Sequence, residues 1–102
     1  MLLRVELVRF VDDHQPGWAE AQFVDANGQR HSIIDKVPIF TSAMLDSNSE
    51  YPHPGSVMCQ VVSRWKDSSG RSLTKISTEH HGIESTTGIT EFIVFSEQLE
   101  RC

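Results

Sequence analysis

The chain is built from short runs in which apolar and polar residues alternate. The apolar residues at every second position of the first two runs are Leu3, Val5, Leu7, Ala19, Ala21 and Phe23. Alternation with a period of two places apolar side chains on one face of a β-strand, whereas a helix repeats them at every third or fourth position. The pattern therefore predicts an all-β protein whose strands each bury one face.

Turn-forming residues separate these runs. Asp25–Gly28 divides one pair of adjacent runs, and Asp67–Gly70 divides a later pair. The Asn-Gly dipeptide at 27–28 favours a type I′ hairpin turn, which requires positive φ at both central residues. A two-residue turn at this point would place Phe23 opposite Ser32.

Six strands are predicted, over 3–11, 18–25, 30–37, 56–66, 71–79 and 89–95. One short helical turn is expected over 41–46, with Thr41 as its cap. Six strands in about 100 residues bury their faces and cover their edges most economically in a small antiparallel barrel, partly or fully closed. A two-sheet β-sandwich is the alternative. Residues 1–102 are expected to form a single domain.

The first run changes phase in its second half. Val8 and Phe10 are apolar and lie on either side of Arg9, so the alternation that began at Leu3 slips by one position. Such a slip is typical of a β-bulge, because one extra residue moves the following side chains to the opposite face. A strand that is covered on both faces in its second half would give the same pattern.

Net charge and hydropathy narrow the range of partners. Fourteen acidic and nine basic residues give a formal charge of −5 at pH 7. Nucleic-acid binding requires clustered positive charge, so we expect no DNA or RNA partner. No apolar run approaches the roughly 18 residues that span a bilayer, so no membrane partner is expected. Charges at Arg4, Glu6 and Arg9 also interrupt any signal-peptide core.

The two cysteines favour a reducing compartment. Cys59 lies between Val57 and Val61 in an apolar run and is expected to be a small buried hydrophobe. Cys102 is the last residue of the sequence and has no local partner. A secreted domain of this size would usually carry more bridges. We therefore predict a cytoplasmic protein without a disulfide.

The Asp67–Gly70 turn suggests a site for an anion or an acidic partner. A turn of two or four residues would pair Lys66 with Arg71 and continue the register along both strands. The basic side chains that would then share one face are Arg64, Lys66, Arg71 and Lys75. We call these four residues the basic strip. The residues expected on the opposite, inner face are Cys59, Val61, Trp65 and Ile76.

A second interpretation of the basic strip is structural. A solvated outer face carries basic side chains that keep a sheet edge from pairing with a neighbour. Both interpretations depend on the turn type, because a three-residue turn would change the parity of the pairing and divide the basic strip.

Trp18 is an aromatic residue for which the sequence leaves two interpretations open. It opens the second run and shares a face with Glu20, Gln22 and Val24. On an outer face it would be a partly exposed aromatic of the kind that anchors protein interfaces. If the strand bends there, Trp18 would instead plug one end of the barrel.

No catalytic, metal or cofactor site is predicted. His80 and His81 are consecutive, and consecutive side chains of an extended strand point to opposite faces. Asp12–His14 holds two carboxylates beside a histidine, which we interpret as turn chemistry because Asp side chains accept backbone amides in loops. Known nucleophile and phosphate-binding motifs are absent from the sequence.

The sequence thus favours a non-enzymatic module that binds a protein partner or a small ligand through a face of the barrel, as a monomer or weak homodimer. One alternative is an immunity-type inhibitor of a bacterial toxin, which would present carboxylates to a basic active site. Its candidate residues are Asp12, Asp13, Asp46 and Glu50. Another alternative is a small enzyme that uses the loop histidines His14, His80 or His81.

Overall fold

The computed structural model describes all residues from Met1 to Cys102 and shows a small all-β fold. In chain order the strands are β1 (Leu2–Asp12), β2 (Trp18–Val24), β3 (Arg30–Lys36), β4 (His53–Met58), β5 (Gln60–Lys66), β6 (Ser72–Ser77), β7 (Glu91–Phe95) and β8 (Leu99–Glu100). The helical elements are α1 (Val37–Phe40) and the 3₁₀ turns Glu79–His81 and Ser96–Gln98. No helix has the length and apolar character to cross a membrane.

The strands form two antiparallel sheets. The first has the order β3-β2-β1-β4, and β8 adds a short pairing to β1. The second has the order β5-β6-β7. No ladder closes the two sheets into a barrel, so the barrel prediction is not confirmed, and the arrangement is compatible with the alternative of a two-sheet sandwich.

One apolar core lies between the sheets. Its main contributors are Leu3, Val5, Leu7, Ala19, Ala21, Phe23, Ile33 and Val57 from the first sheet and Ile76, Phe92 and Val94 from the second. Phe23 and Phe92 meet edge to face across the interface, with ring centroids 5.1 Å apart. The predicted inward faces of the first two runs are therefore confirmed.

The structure has eight strands rather than six, because the predicted strand 56–66 belongs to two sheets and Leu99–Glu100 adds β8. Only Cys59 separates β4 from β5. Its side chain is buried, and its amide donates a hydrogen bond to the carbonyl of Met1 at 3.0 Å. The chain thus changes partner strands at Cys59: β4 pairs with β1, and β5 pairs with β6.

The phase slip in the first run is a register irregularity. The pairing of β1 with β2 shifts between Leu7 and Arg9 and again between Phe10 and Asp12. An extra residue at such a point bends the strand and re-aims the side chains that follow it. The predicted β-bulge is confirmed.

The helical turn lies earlier than predicted. It covers Val37–Phe40 and has Pro38 in its first turn, where the missing amide proton costs no helical hydrogen bond. Thr41 does not cap the start of a helix but ends α1, with an extended backbone (φ −158°, ψ 154°). Residues 42–46 are a loop.

The β2–β3 turn contains three residues instead of two. The Asp25 amide donates to the Gln29 carbonyl at 2.9 Å, and Gly28 has a φ of 81°. No residue other than glycine has a positive φ, so Asn27 does not adopt the conformation that a type I′ turn needs. Phe23 consequently faces His31 rather than Ser32.

Candidate protein-interaction surface

The β5–β6 turn decides which side chains share a face of the second sheet. The Asp67 amide donates to the Arg71 carbonyl at 3.0 Å, and Gly70 has a φ of 83°. The Asp67 carboxylate accepts the amides of Ser69 and Arg71, both at 2.9 Å. These contacts stabilise a three-residue turn ending in a left-handed glycine, as in the β2–β3 hairpin.

The basic strip is therefore divided, and the predicted register is wrong by one position. Lys66 lies opposite Ser72, and Arg64 lies opposite Thr74. Lys75 lies opposite Ser63 and so belongs to the other face. Arg71 pairs with Asp67 at the turn. The physical reason is that a three-residue turn changes the parity of every pair that follows it.

The two halves of the basic strip differ in electrostatics. Arg71 lies 2.6 Å from a carboxylate oxygen of Glu97, and its guanidinium is 3.4 Å from the ring centroid of Phe95. Lys75 forms an ion pair with Glu91 at 3.3 Å. These two cations are thus neutralised within the chain.

Arg64 and Lys66 are the unpaired half. Both are exposed, and neither takes part in any ion pair of the structure. They project on the same face two residues apart, and their cross-strand neighbours on β6 are uncharged. We call Arg64 and Lys66 the cationic pair.

Trp65 also lies on the face opposite to the predicted one. It pairs with Leu73, which pairs in turn with Phe95, whereas the buried Ile76 occupies the other side of β6. We call Trp65, Leu73 and Phe95 the apolar row. The apolar row crosses the solvent side of the second sheet, and Trp65 keeps 38% of its surface exposed.

β5 is exposed along its whole length. All seven of its residues are exposed, although three are large and hydrophobic: Val61 (38%), Val62 (52%) and Trp65 (38%). β5 pairs with β6 alone, and no other backbone group hydrogen-bonds to it. Its outer edge is therefore open, apart from a register irregularity between Val61 and Ser63.

The β3 and β7 edges are better covered. Two outward backbone groups of β7 are already hydrogen-bonded. The Ala26 amide donates to the Ile93 carbonyl at 2.8 Å, and the Phe95 amide donates to the Gln98 side chain, also at 2.8 Å. On β3, the amide of Thr86 reaches the Ser32 carbonyl at 2.8 Å. These contacts occupy groups that an added strand would need.

The hydrogen-bonding pattern of β5 shows which groups face the open edge. In an antiparallel ladder, residues that bond the partner strand alternate with residues that do not. Because Asp67 bonds Arg71, the residues that bond β6 before it are Trp65 and Ser63. The amide and carbonyl groups of Lys66 and Arg64 therefore point outward, away from β6.

Trp18 is on the outer face of the first sheet. It pairs with Lys36, whose ammonium lies 5.9 Å from the indole centroid, and it alternates with the buried Ala19. It is half-buried and is not part of the core. No closed barrel is found for it to plug, and its use as an interface aromatic stays a prediction.

The Asp12–His14 loop combines three exposed groups whose ligand atoms lie within 4.8 Å of one another. One Asp12 carboxylate oxygen accepts two hydrogen bonds at 2.8 Å, one from the backbone amide of His14 and one from its ring Nδ1. The amide hydrogen bond lowers the pKa of Asp12, and the side-chain hydrogen bond to Asp12 raises the pKa of His14. The carboxylate is thus engaged in the turn contacts that the sequence suggests.

The other candidate residues from the sequence lie in exposed loops. His80 and His81 belong to an exposed 3₁₀ turn, which gives the enzyme alternative no support. Asp46 bonds Asn48 and Ser49 within its own loop. The inhibitor alternative stays a prediction.

A buried Asp-His pair is the feature that sequence reasoning missed. Asp25 and His31 are 8% and 7% exposed, and a carboxylate oxygen lies 2.7 Å from the ring Nε2. The His31 ring packs edge to face on Phe92, 4.9 Å between centroids. The length of the β2–β3 turn could have indicated this pair. With three turn residues, His31 lies opposite Phe23 and therefore on the inner face.

A recess of about 640 Å³ lies over the solvent side of the first sheet. Only three of its thirteen lining residues are hydrophobic, and Arg4, Glu6 and Arg30 are among the others. Arg4 already forms an ion pair with Glu100 at 3.5 Å. Small-molecule sites are usually lined by apolar side chains around a few polar groups, so this recess is a weak candidate.

Comparisons with protein-family models, curated proteins and solved structures found no match to this chain.

Proposed function

We propose that the chain is a non-enzymatic protein-interaction module that binds an extended segment of its partner as an additional strand on β5. One observation carries the proposal: β5 is exposed on both faces and along its outer edge while it retains Val61, Val62 and Trp65. Strand addition draws its affinity from backbone hydrogen bonds and its specificity from alternate side chains.

The backbone geometry supports this mode of binding. The outward amides and carbonyls of Arg64 and Lys66 form a short ladder for a partner strand. Val61 and Trp65 add apolar surface on the two sides of the sheet, since Val61 pairs with Ile76 and Trp65 with Leu73. Burying apolar surface yields roughly 25 cal/mol per Å² before the entropy of ordering the peptide is subtracted.

A protein partner is favoured over a small ligand. The open β5 edge offers repeated hydrogen-bonding groups beside hydrophobic side chains, which suits an extended peptide. The recess on the first sheet is polar, and part of its charge is already paired. We therefore propose β5 and the apolar row as the binding surface.

Strand-length random peptides displayed on phage would test this function. Panning against the purified chain is expected to enrich peptides whose binding slows hydrogen exchange at the Arg64 and Lys66 amides. Arg64→Pro removes an outward amide without removing a bond to β6, and should abolish binding. Arg64→Ala keeps that amide and should retain measurable binding.

Circular dichroism and thermal unfolding would establish that both variants remain folded. If the enriched peptides bind Arg64→Pro as tightly as the parent chain, strand addition to β5 is wrong. The same conclusion follows if no peptide is enriched, which is the outcome expected of an edge that is merely protected from pairing.

A further inference from the structure

The cationic pair indicates what kind of segment β5 receives. Arg64 and Lys66 are unpaired on a chain of net charge −5, while Arg71 and Lys75 have carboxylate partners. β5 itself contains no acidic residue. The open edge is therefore a locally positive site on a negatively charged protein.

We propose that β5 binds an extended acidic segment in which two carboxylate side chains, two residues apart, flank an apolar one. This inference rests on the proposed function. In antiparallel pairing, directly opposite residues project to the same face. Partner residues opposite Arg64 and Lys66 would thus place their carboxylates beside the two cations. The residue between them would project to the other face, beside Trp65 and the apolar row.

A second copy of the chain fits this edge less well. Antiparallel self-pairing centred on Ser63 would set Trp65 opposite Val61 of the other copy, but these two side chains project to opposite faces of the sheet. It would also gather two copies of Arg64 and two of Lys66 in one strand pair that contains no carboxylate. Like charges on neighbouring strands destabilise a sheet, so charge favours an acidic partner over self-association.

The length of the proposed contact is also limited. The register irregularity between Val61 and Ser63 interrupts the ladder that begins at the turn. An added strand can therefore form regular pairs mainly along Ser63–Lys66, next to the cationic pair. Two exposed ion pairs contribute modestly and are screened by salt, so we expect the charge contribution to fade as ionic strength rises.

A charge-swap experiment tests the inference. We would compare a strand-length peptide with the pattern Glu-Val-Glu, the matched peptide Lys-Val-Lys and the neutral Gln-Val-Gln against the intact chain. The parent chain should bind Glu-Val-Glu roughly tenfold more tightly than Lys-Val-Lys at low salt, within the range of exposed ion pairs. The double variant Arg64→Glu, Lys66→Glu should reverse that preference.

Lys75→Gln is the matched control, because Lys75 is paired with Glu91, belongs to neither the cationic pair nor the apolar row, and should leave the preference unchanged. Equal binding of all three peptides, with Arg64→Pro still abolishing it, would overturn the acidic partner while the proposed strand addition survives. If none of the three peptides binds the β5 edge of the parent chain, both the acidic partner and the strand addition are wrong. Dimerisation through β5 in sedimentation, or equal binding of a single-stranded oligonucleotide, would also overturn the inference.

Discussion

At the scale of single residues, Asp25 and Asp67 control the register of their hairpins. Each aspartate closes a three-residue turn by accepting the amides two and four residues later. Asp25 is also buried and bonds His31, whereas Asp67 is at the exposed end of β5. The same turn chemistry thus fixes a core contact in the first sheet and a surface in the second.

Replacing Asp25 tests how strongly the buried pair holds the fold. Asp25→Ala removes the acceptor of two amides and of the buried His31 ring, so we expect a loss of about 2–4 kcal/mol in the free energy of unfolding. Asp67→Ala removes similar turn contacts at a position that is less buried than Asp25 and should cost less. Urea unfolding at neutral pH measures both, and equal losses would contradict a special role for the buried pair.

The Asp25 carboxylate also implies a pH dependence. Burial alone would raise its pKa, but hydrogen bonds from His31 and from the Gln29 and Asn27 amides outweigh burial and lower the pKa below 3.8. A group whose pKa is lower in the folded state stabilises the fold above its unfolded pKa. That stabilisation is lost as pH falls through the folded pKa, so the stability difference between parent and Asp25→Asn should shrink below about pH 4.

At the scale of elements, the turns determine which face of a strand each side chain occupies. Asn27-Gly28 and Ser69-Gly70 contribute left-handed glycines at the third turn position, and the preceding residues keep negative φ. Assuming a two-residue turn at Asn27-Gly28 shifts β3 by one residue against β2, and assuming an even-numbered turn at Asp67–Gly70 does the same to β6 against β5. Each shift exchanges the faces of the second strand relative to the first.

Gly28→Ala tests the turn itself. Gly28 has a φ of 81°, and an added Cβ would meet no atom within 4 Å, so the cost is conformational rather than steric. We expect a loss of about 1 kcal/mol for alanine and a smaller loss for Gly28→Asn, because asparagine tolerates the left-handed region better. Thermal unfolding measures both variants, and an unchanged melting temperature for alanine would contradict the three-residue turn.

At the scale of the whole molecule, the two sheets share one core but are covered unequally. Phe92 contacts Phe23 and His31 and joins β7 to the first sheet. β5, on the other side of the second sheet, has no buried residue. Stability is thus concentrated where the sheets overlap, and the strand proposed to bind a partner lies outside that overlap.

Phe92→Ala should therefore be far more damaging than a comparable truncation on β5. Removing a buried phenylalanine side chain costs about 3–5 kcal/mol through lost burial and the cavity left behind. Trp65→Ala, on an exposed strand, should cost much less stability and instead weaken peptide binding. Urea unfolding and peptide titration on the same two variants separate these effects, and similar losses of stability would contradict the unequal cover.

Several features followed from the sequence alone because they depend on local chemistry. Period-two alternation identified the buried faces of β1 and β2, glycine placed both hairpin turns, and the slip at Val8 located the bulge. Each of these depends on residues close together in the chain. The helical turn was misplaced because Val37–Phe40 is too short to show a helical period.

The remaining features depend on which strands pair and in which register. Glycine spacing does not specify turn length, and turn length sets the register along whole strands. The change of sheet at Cys59 depends on the partners available to β4 and β5. The division of the basic strip also depends on strand pairing. Local sequence provides the charges, but the partner strands determine which side chains share a face and which carboxylates neutralise them. The exposure of β5 is likewise a property of how far the first sheet extends over the second.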